Sequence, residues 1–286
     1  MSIEISPAAA TEGASAGMPH TESAVDHVRN GFADLAESAS MWRLWTMLGW
    51  NDIRQRYRRS TLGPFWITIS MAIFTLLLGV IYSRIFNQEL AVFLPYIAMG
   101  LITWGFISST TVEATGSFIE GAGIIKQIRL PLTIYPMRTI WRSFIILLHT
   151  IVLIVPITII FQTKLGWEAL LVFPGLLLVF LNQIWVTIVI AILTTRFRDI
   201  VQLVATAMQI AMFATPIMWP VSALRDGHII ADVNPLYHLI DLVRAPLLGQ
   251  TPAELSWLVV IGMCLAGYIT AAFLLGRTSR RIVYWL

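Results

Sequence analysis

The chain has 286 residues, of which 57% are hydrophobic and only 12% are charged, and its net charge is +3. Soluble globular domains carry about 25% charged residues, so this composition excludes an ordinary soluble protein, a disordered chain and a nucleic-acid-binding chain. The single cysteine, Cys264, excludes an intrachain disulfide and a cysteine metal cluster. With a mean hydropathy of +0.76, the chain is predicted to be an integral membrane protein.

The first 40 residues differ in composition from the rest of the chain. Residues 1–40 are rich in Ala, Ser, Glu, Gly and Thr and contain no apolar run. Such a segment lacks the apolar surface that would offset the entropy of folding, so it is predicted to be a flexible cytoplasmic tail.

Residues 41–59 show the pattern of a helix that lies in the membrane interface. Met41, Leu44, Trp45 and Leu48 follow the i, i+3, i+4, i+7 spacing of one helical face, and the second half is rich in arginine. An apolar, tryptophan-bearing face next to arginines is typical of an amphipathic interface helix. The arginines either enforce topology and contact anionic headgroups, or they form a docking surface for a soluble partner or an anionic lipid-linked substrate.

Six windows without Asp, Glu, Lys or Arg are long enough to cross about 30 Å of hydrocarbon as helices. None alternates in polarity as a membrane-barrel strand would. The expected fold class is therefore all-α integral membrane, with six transmembrane helices in residues 60–286 after the interface helix. The approximate spans are 60–83, 90–112, 143–163, 169–195, 200–224 and 255–276.

Arginine and lysine are distributed asymmetrically over the predicted loops. With a cytoplasmic N-terminus, 15 of the 19 basic residues face the cytoplasm. The other four are Arg84, Lys164, Arg225 and Arg244. The positive-inside rule therefore predicts that both termini are cytoplasmic.

The sequence contains little that suggests chemistry within this chain. It has no G-x-x-x-x-G-K-[ST] phosphate loop and no His-Glu-x-x-His motif, so no catalytic residue and no metal ligand is predicted. His149 is the sole titratable candidate within the predicted spans, and a histidine hydrogen-bonded between helices is favoured there over a proton carrier. A membrane enzyme and a proton-driven carrier are therefore disfavoured.

Residues 54–66, which read RQRYRRSTLGPFW, closely resemble the opening signature of ABC type 2 permeases that export polysaccharides. Those permeases serve O-antigen, capsule, teichoic acid and cell-wall galactan. The similarity extends over about residues 40–286. The other matching segments are 126–131, 196–199, Pro216 and 234–237.

The resemblance implies a transport subunit rather than an enzyme. It implies a homodimer in the bacterial inner (plasma) membrane, paired with two copies of a cytoplasmic ABC ATPase that binds ATP and Mg²⁺, with no cofactor in this chain. The expected substrate is a polyprenyl-pyrophosphate-linked glycan that crosses the membrane when ATP is hydrolysed; membrane lipid is the other partner and nucleic acid is not. A type 2 permease for a drug or lipid is the alternative.

The same resemblance implies roles for individual charged residues. Coupling to the ATPase is expected at residues 41–59 and in the loop 114–140, where a short helix around 124–130 would seat in the ATPase, although an ordinary connecting loop is the alternative. Arg58 and Arg59 are expected to receive the lipid pyrophosphate, because arginine pairs bidentately with phosphate. The predicted coupling residues are Arg54, Arg56, Lys126, Arg129, Arg196, Arg198 and Asp199.

The last outer loop, 225–254, is longer than a plain connector. Asn234 is a candidate helix cap and Pro235 a helix start. The segment predicts one or two short re-entrant helices, as in the family it resembles, or an amphipathic helix that rests on the outer leaflet. The predicted outer gate consists of Asn234, Pro235 and Tyr237.

Aromatic side chains are the candidates for a glycan channel, because sugar faces stack on rings in a way that tolerates sliding. Each ring is alternatively lipid-facing or part of an interfacial belt. Asn182 and Gln183 are either interhelical hydrogen-bonding groups or sugar contacts. The channel candidates are Trp66, Tyr82, Trp104, Phe106 and Trp185.

Overall fold

A computed structural model describes residues 23–63, 65–163 and 165–286, so that residues 1–22, Pro64 and Lys164 lie outside the described part of the chain. Within that part the secondary structure is helical and contains no strand. The first helices are α1 (Ala24–Ser40), α2 (Trp42–Arg56), α3 (Phe65–Ile85), α4 (Leu90–Ala114), α5 (Ser117–Glu120), α6 (Ala122–Ile125) and α7 (Ile134–Ile151). The later ones are α8 (Ile154–Ile160), α9 (Val172–Arg196), α10 (Ile200–Ala214), α11 (Gly227–Val233), α12 (Pro235–Leu247) and α13 (Glu254–Trp285), with short 3-10 helices at Trp167–Leu171 and Val221–Ala223.

Five helical segments of the described chain are long and apolar enough to cross a membrane. They correspond to α3, α4, α7 with α8, α9 with the turn before it, and α13. The described part of the chain is therefore all-helical, and its apolar helices are those of a multi-pass membrane protein. The predicted windows 60–83, 90–112 and 169–195 each coincide with one of these helices to within a few residues.

Helix α4 is the centre of the bundle, and α3 packs along it through small residues. The buried residues of α3 are Thr68, Thr75, Gly79 and Ser83. Gly79 lets the side chain of Leu94 approach its backbone, where an added Cβ would lie 3.2 Å from Leu94 Cγ. Large apolar side chains cover the other face of α3. This arrangement is typical of membrane helices, in which small residues form helix contacts and large apolar residues face lipid.

The fifth predicted span, 200–224, is not one continuous helix. Helix α10 has 15 residues and is about 22 Å long, whereas the hydrocarbon core is about 30 Å thick. Thr215 is extended, with ψ of 137°, because the ring of the following Pro216 disfavours a helical conformation there. Proline thus ends the helix in an otherwise apolar window, and the prediction of an unbroken span was wrong.

Backbone groups exposed by this break are satisfied by side chains from other helices. The carbonyl oxygen of Pro216 accepts a hydrogen bond from Arg244 Nη1 at 2.6 Å and another from the Tyr96 hydroxyl at 3.2 Å. Asn234 Nδ2 lies 3.5 Å from the carbonyl oxygen of Ala214 and also donates to the side-chain hydroxyl of Thr215 at 2.9 Å. Non-helical backbone at membrane depth is tolerated only where such partners are present.

The third and last membrane helices are longer than the windows 143–163 and 255–276 predicted. Helix α7 begins at Ile134, so Arg138 and Arg142 belong to it. Helix α13 has 32 residues, extends about 48 Å and includes the basic residues that follow position 276. A charge-free window ends at every charged residue, including charged residues that ion pairs allow within a membrane helix.

Residues 24–40, which were predicted to belong to a flexible tail, form helix α1. Helix α1 starts with a capping box in which the side chain of Ser23 and the side chain of Asp26 bond each other's backbone. Hydrogen bonds from the side chain and backbone of Ser23 hold the pKa of Asp26 below its usual 3.8. The rest of the predicted tail, residues 1–22, lies outside the described residues.

Helix α1 packs along α13 through two glycines, one on each helix. A Cβ at Gly31 would collide with the carbonyl oxygen of Ala272, and a Cβ at Gly276 would collide with that of His27. The two backbones therefore touch, and α1 is held by close packing that its polar composition does not reveal.

The predicted interface helix 41–59 is present as α2 and packs on α7. Gly49 permits close approach, since a Cβ there would lie 3.0 Å from the carbonyl oxygen of Arg138. The rings of Trp45 and Trp141 meet edge to face, 5.9 Å apart. Trp42 and Trp50 are exposed on the other side of α2. Its location in the membrane interface stays a prediction.

The last loop folds into α11 and α12, and α12 lies inside the bundle. Pro235 is its first residue, and Asn234 caps it by accepting a hydrogen bond from Leu236 N at 3.0 Å. Its residues from His238 to Leu247 are all buried, packed against α4, α9 and α13. A helix buried in this way does not rest on an outer surface, which rules out that alternative for α12.

Candidate functional site

The described ion pairs are concentrated where α2, α4, α5 and α7 meet, and this end of the bundle is called the basic end below. Arg142 is the centre of the network, with only 6% of its side chain exposed. Its Nε lies 2.9 Å from Glu113 Oε2, and its Nη1 lies 3.2 Å from Asp52 Oδ2 and 3.5 Å from Glu120 Oε2. One guanidinium on α7 thereby connects α2, α4 and α5.

Two further arginines complete the network. Arg138 forms a bidentate pair with Asp52, with Nε–Oδ2 and Nη2–Oδ1 both at 2.6 Å, and Arg56 Nη2 lies 3.1 Å from Glu113 Oε1. Three arginines thus face three carboxylates. Arg142 is the most buried member, so its removal is expected to cost the most, because the carboxylates beside it would lose part of their compensating charge.

Sequence reasoning identified Arg56 but missed the other members of the network. It assigned Arg138 and Arg142 only to the cytoplasmic side, and it gave Asp52, Glu113 and Glu120 no role. A signal was available: Arg138 and Arg142 are spaced i, i+4, immediately before an apolar run, so they share one helix face.

The other predicted coupling residues lie at helix ends of the same basic end. Arg54 is exposed on the last turn of α2, and Lys126 and Arg129 are exposed just after α6. Helix α6 ends at Ile125, so the predicted helix around 124–130 is a single helical turn followed by turns.

The short connection between α9 and α10 also lies at this end. Arg196 ends α9, with its guanidinium carbon 5.1 Å from the ring of Phe197 and 5.3 Å from the ring of Trp285. Arg198 and Asp199 are exposed in this connection.

Arg58 and Arg59, the predicted pyrophosphate ligands, are exposed just beyond α2. A crevice of about 220 Å³ between α3, α4 and α7 lies beside this segment, and Arg56, Ser109, Glu113 and Ser143 supply its polar lining. Arg58 and Arg59 are outside that lining.

The aromatic candidates for a channel are not brought together. Phe106 is buried in the core, with its ring 6.4 Å from that of Phe144. Trp185 donates to Asn182 Oδ1 at 3.0 Å and covers Gly267 of α13. Tyr82 stacks on Phe86 at 5.9 Å between ring centroids. Trp66 is exposed on the outer face of α3, and Trp104 is buried in α4 at the edge of a groove.

Two isolated polar side chains of the spans, Asn182 and His149, hydrogen-bond to nearby backbone carbonyl groups. Asn182 Nδ2 donates to the carbonyl oxygens of Leu178 and of Val260 on α13, at 2.9 and 3.2 Å. His149 Nδ1 lies 2.8 Å from the carbonyl oxygen of Ile145, one turn earlier in the same helix. Asn182 therefore links α9 to α13, and His149 bonds within its own helix.

A polar stripe on α10 is the feature that sequence reasoning overlooked. Gln202, Thr206 and Gln209 follow i, i+4, i+7 spacing, and all are exposed. With Trp104 and Ser108 of α4 they line an open groove of about 250 Å³. The apolar window 200–224 hid them, because hydropathy averages over all faces of a helix while helical spacing separates the faces.

The residues predicted as an outer gate surround the break after α10, at the end of the bundle opposite the basic end. Asn234 caps α12 and bonds Thr215, and Pro235 begins α12. Tyr237 borders a cavity and has its ring 5.6 Å from the guanidinium carbon of Arg244.

The sequence is similar to a known protein family and to named export permeases. The family model described as ABC-2 type transporter matches residues 43–248. Relatives include the O-antigen export system permease protein RfbA of Myxococcus xanthus, 22% identical over 202 residues that cover 68% of this chain and 76% of the relative. A protein of the same name from Klebsiella pneumoniae is 24% identical over 195 residues, covering 66% of this chain and 74% of the relative. The chain belongs to the ABC-2 type transporter family.

Proposed function

We propose that this chain is the transmembrane subunit of an ABC exporter that moves a lipid-linked polysaccharide across the bacterial inner membrane. Two copies of the chain would form the conduit, and two copies of a separate ABC ATPase would hydrolyse ATP with Mg²⁺. Membership of the ABC-2 family supports the exporter, and the relatives named as O-antigen export permeases support the substrate class.

The proposed topology has six crossings with both termini in the cytoplasm. The five long helices supply five, and α10 with the non-helical segment after it would supply the sixth. Helices α11 and α12 would then be the re-entrant elements on the outer side. The excess of arginine at the basic end supports a cytoplasmic location for that end.

The ion network at the basic end is the observation that carries the coupling mechanism. Arg142 and Arg138 join α2 to the start of α7 through buried or half-buried pairs. A push from an ATPase on the exposed residues near Lys126 and Arg129 would therefore move α2, α4 and α7 as one body. Paired, hydrogen-bonded charges transmit such a force because breaking one pair is costly.

The stripe on α10 supports a conduit between two copies of the chain. Exposed amides are costly in hydrocarbon, so polar residues of membrane helices face a partner helix or a water-filled path. Gln202, Thr206 and Gln209 meet that requirement if α10 of each copy lines a shared path. Their amide and hydroxyl groups are suitable hydrogen-bonding partners for sugar hydroxyls.

The exposed pair Arg58 and Arg59 is proposed to receive the lipid pyrophosphate at the inner leaflet. The segment follows α2 at the basic end and carries no acidic residue between positions 53 and 60. Guanidinium groups bind phosphate oxygens bidentately, which suits this role.

Depletion of the chain in its native host tests the function. Lipid-linked glycan should accumulate on the inner face of the membrane, and re-expression together with the cognate ATPase, but not with an ATPase whose ATP site is inactivated, should clear it. If depletion leaves the glycan distribution unchanged and instead sensitises cells to a drug, or changes lipid asymmetry, the drug or lipid alternative replaces the proposal.

A further inference from the structure

The end of the bundle opposite the basic end contains a cavity of about 560 Å³. The first turns of α4, the turn after α8, the 3-10 helix Val221–Ala223 and helix α12 enclose it. Polar side chains make up a large part of its wall. Those used below are Tyr96, Gln162, Ser222, Tyr237, Asp241 and Arg244.

Arg244 is the cation of this cavity, and its position is tightly held. The residue is only 3% exposed. Its guanidinium carbon lies 4.2 Å from the centroid of the Tyr96 ring and 5.6 Å from that of Tyr237. Its Nη1 donates to the carbonyl oxygen of Pro216 at 2.6 Å. Aromatic faces attract a guanidinium but do not neutralise its charge.

No carboxylate in the described part of the chain pairs with Arg244. Asp241 lies three residues before Arg244 on α12 and lines the same cavity, but its Oδ2 accepts hydrogen bonds from Ser256 Oγ at 2.7 Å and from Ala253 N at 3.2 Å. Arg142, equally buried at the basic end, faces three carboxylates. A buried cation that no carboxylate contacts is costly, so an anion bound at Arg244 would offset that cost.

Neutral donors face the same space. Gln162 adopts a left-handed backbone with φ of 49°, a conformation that costs a non-glycine residue free energy, and it lines the cavity. Ser222, in the 3-10 helix Val221–Ala223, also lines the cavity. Together with the guanidinium, which has five N–H donors, these groups would surround a multi-oxygen anion.

Apolar residues border the same cavity and give the ligand a second property. Val92, Phe161 and Leu248 contribute to its wall, and Val92 is exposed on the first turn of α4, where α4 faces outward. An anion attached to a hydrocarbon chain would place its head on Arg244 and its first methylenes against this wall.

We propose that this cavity binds the phosphate group of a lipid at the outer side of the membrane, with Arg244 as its principal ligand. A guanidinium held between two rings presents a fixed fork of donors, which matches phosphate oxygens bidentately. Two parts of this inference rest on the proposed function: the side of the membrane and the identity of the lipid. That lipid would be the phosphorylated carrier of the glycan after it has crossed the membrane.

The test measures binding to the purified full chain in detergent by isothermal titration calorimetry. The probes are farnesyl phosphate, farnesol, dihexanoyl phosphatidylglycerol and inorganic phosphate. Farnesyl phosphate should bind at least tenfold more tightly than farnesol. If inorganic phosphate binds as tightly as farnesyl phosphate and its binding also depends on Arg244, the cavity is a site for a free anion and not for a lipid. Tighter binding of phosphatidylglycerol would assign it to a phospholipid.

Substitutions at two positions, Arg244 and Ala91, test the cavity independently. Arg244→Gln should reduce the affinity for farnesyl phosphate at least tenfold, and Arg244→Lys should retain part of it. Because Arg244 also holds Pro216, Ala91→Trp provides an independent variant: Ala91 is exposed and lines the cavity, so the indole fills the space and leaves Arg244 in place. Arg225→Gln removes an exposed arginine near the same end and should change the affinity less than twofold.

Three results would overturn the proposal: farnesol that binds as tightly as farnesyl phosphate, inorganic phosphate that binds as tightly as farnesyl phosphate, or an unchanged affinity for farnesyl phosphate in Ala91→Trp. The measurement needs neither the ATPase nor transport. A failure of this inference is therefore distinguishable from a failure of the exporter assignment, which the depletion experiment detects separately.

Discussion

Asp52 of α2 and Arg138 of α7 are joined by a bidentate ion pair whose two nitrogen–oxygen distances are both 2.6 Å. The same aspartate also bonds Arg142, which continues to Glu113 of α4. A helix predicted to lie in the membrane interface is therefore fastened by charge to two helices of the membrane bundle. Such a rigid connection between helices would transmit a movement imposed by another protein to the membrane helices.

Arg142→Met is expected to destabilise the folded chain by about 3–5 kcal/mol, because it leaves the carboxylates of Asp52, Glu113 and Glu120 without their shared cation. Denaturant unfolding of the purified chain in mixed micelles measures the change. Arg54→Met is the matched control on the same end, since Arg54 is exposed, and it should cost less than about 1 kcal/mol. Equal losses in the two variants would contradict a structural role for the network.

Gly276→Ala and Gly262→Ala, both on α13, are expected to change stability in opposite directions. A Cβ at position 276 collides with the carbonyl oxygen of His27, so α1 must move away, at a cost of about 1–3 kcal/mol. A Cβ at position 262 meets nothing, so the substitution should stabilise the helix by up to about 1 kcal/mol.

Hydrogen exchange of residues 24–40 reports the effect of these glycine substitutions on α1. Exchange should accelerate in Gly276→Ala and stay unchanged in Gly262→Ala. Protection of α1 that is equal in both variants would show that close contact with α13 does not hold it.

Reversal of charge at Lys126 and Arg129, as a Lys126→Glu, Arg129→Glu double variant, is expected to uncouple ATP hydrolysis from export. Both residues are exposed after α6, so membrane insertion and the fold should be retained. Glycan export measured together with ATPase activity of the assembled complex checks this expectation. Arg84→Glu, at the opposite end of α3, should leave both activities unchanged; undiminished export in the double variant would refute the coupling role.

Cysteine substitution along α10 tests the polar stripe. Cys264 is the only cysteine of the chain, so Cys264→Ser supplies a background without thiols. A cysteine in place of Gln202 or Gln209 should react with a membrane-impermeant maleimide in the assembled, ATP-cycling exporter, because those positions would face water. A cysteine in place of Ile210, one position further around the helix, should stay protected by lipid or protein.

Reaction at Ile210 as fast as at Gln209 would contradict a conduit on that face. Export by the Gln209→Leu variant provides a second measurement, expected to fall several-fold because a sugar hydroxyl loses a hydrogen-bonding partner.

The sequence correctly predicted those membrane helices whose ends coincide with the ends of an apolar window. Helices α4 and α9 lie close to the windows 90–112 and 169–195, since hydrophobicity over about 20 residues is sufficient to specify a membrane helix. The same criterion placed the start of α7 too late, because Arg138 and Arg142 are acceptable in that helix once carboxylates from α2, α4 and α5 surround them. Those partners are distant in sequence, so no local window contains them.

Helix α10 shows both what the local sequence predicts and what depends on distant residues. Pro216 is visible in the sequence and identifies where the helix ends. The non-helical backbone after it is stabilised by hydrogen bonds from Arg244, Tyr96 and Asn234, which are distant in sequence. The aromatic residues considered for a channel show the same limit. Helical spacing does not reveal that Phe106 faces the core and Trp66 the outside, because that depends on which neighbouring helix covers each face.

By itself, the low charge content of the chain identified a membrane protein, and the distribution of its arginines predicted which helix ends lie on the same side of the membrane. Motifs such as residues 54–66 determined the family that it resembles. Only the tertiary structure decided which charges are paired, which helix carries an exposed polar stripe, and that Arg244 lacks a described counter-charge. Composition and local spacing indicate the free-energy cost of placing a polar side chain in lipid. The groups that offset this cost belong to helices distant in sequence, and only folding brings them within hydrogen-bonding distance.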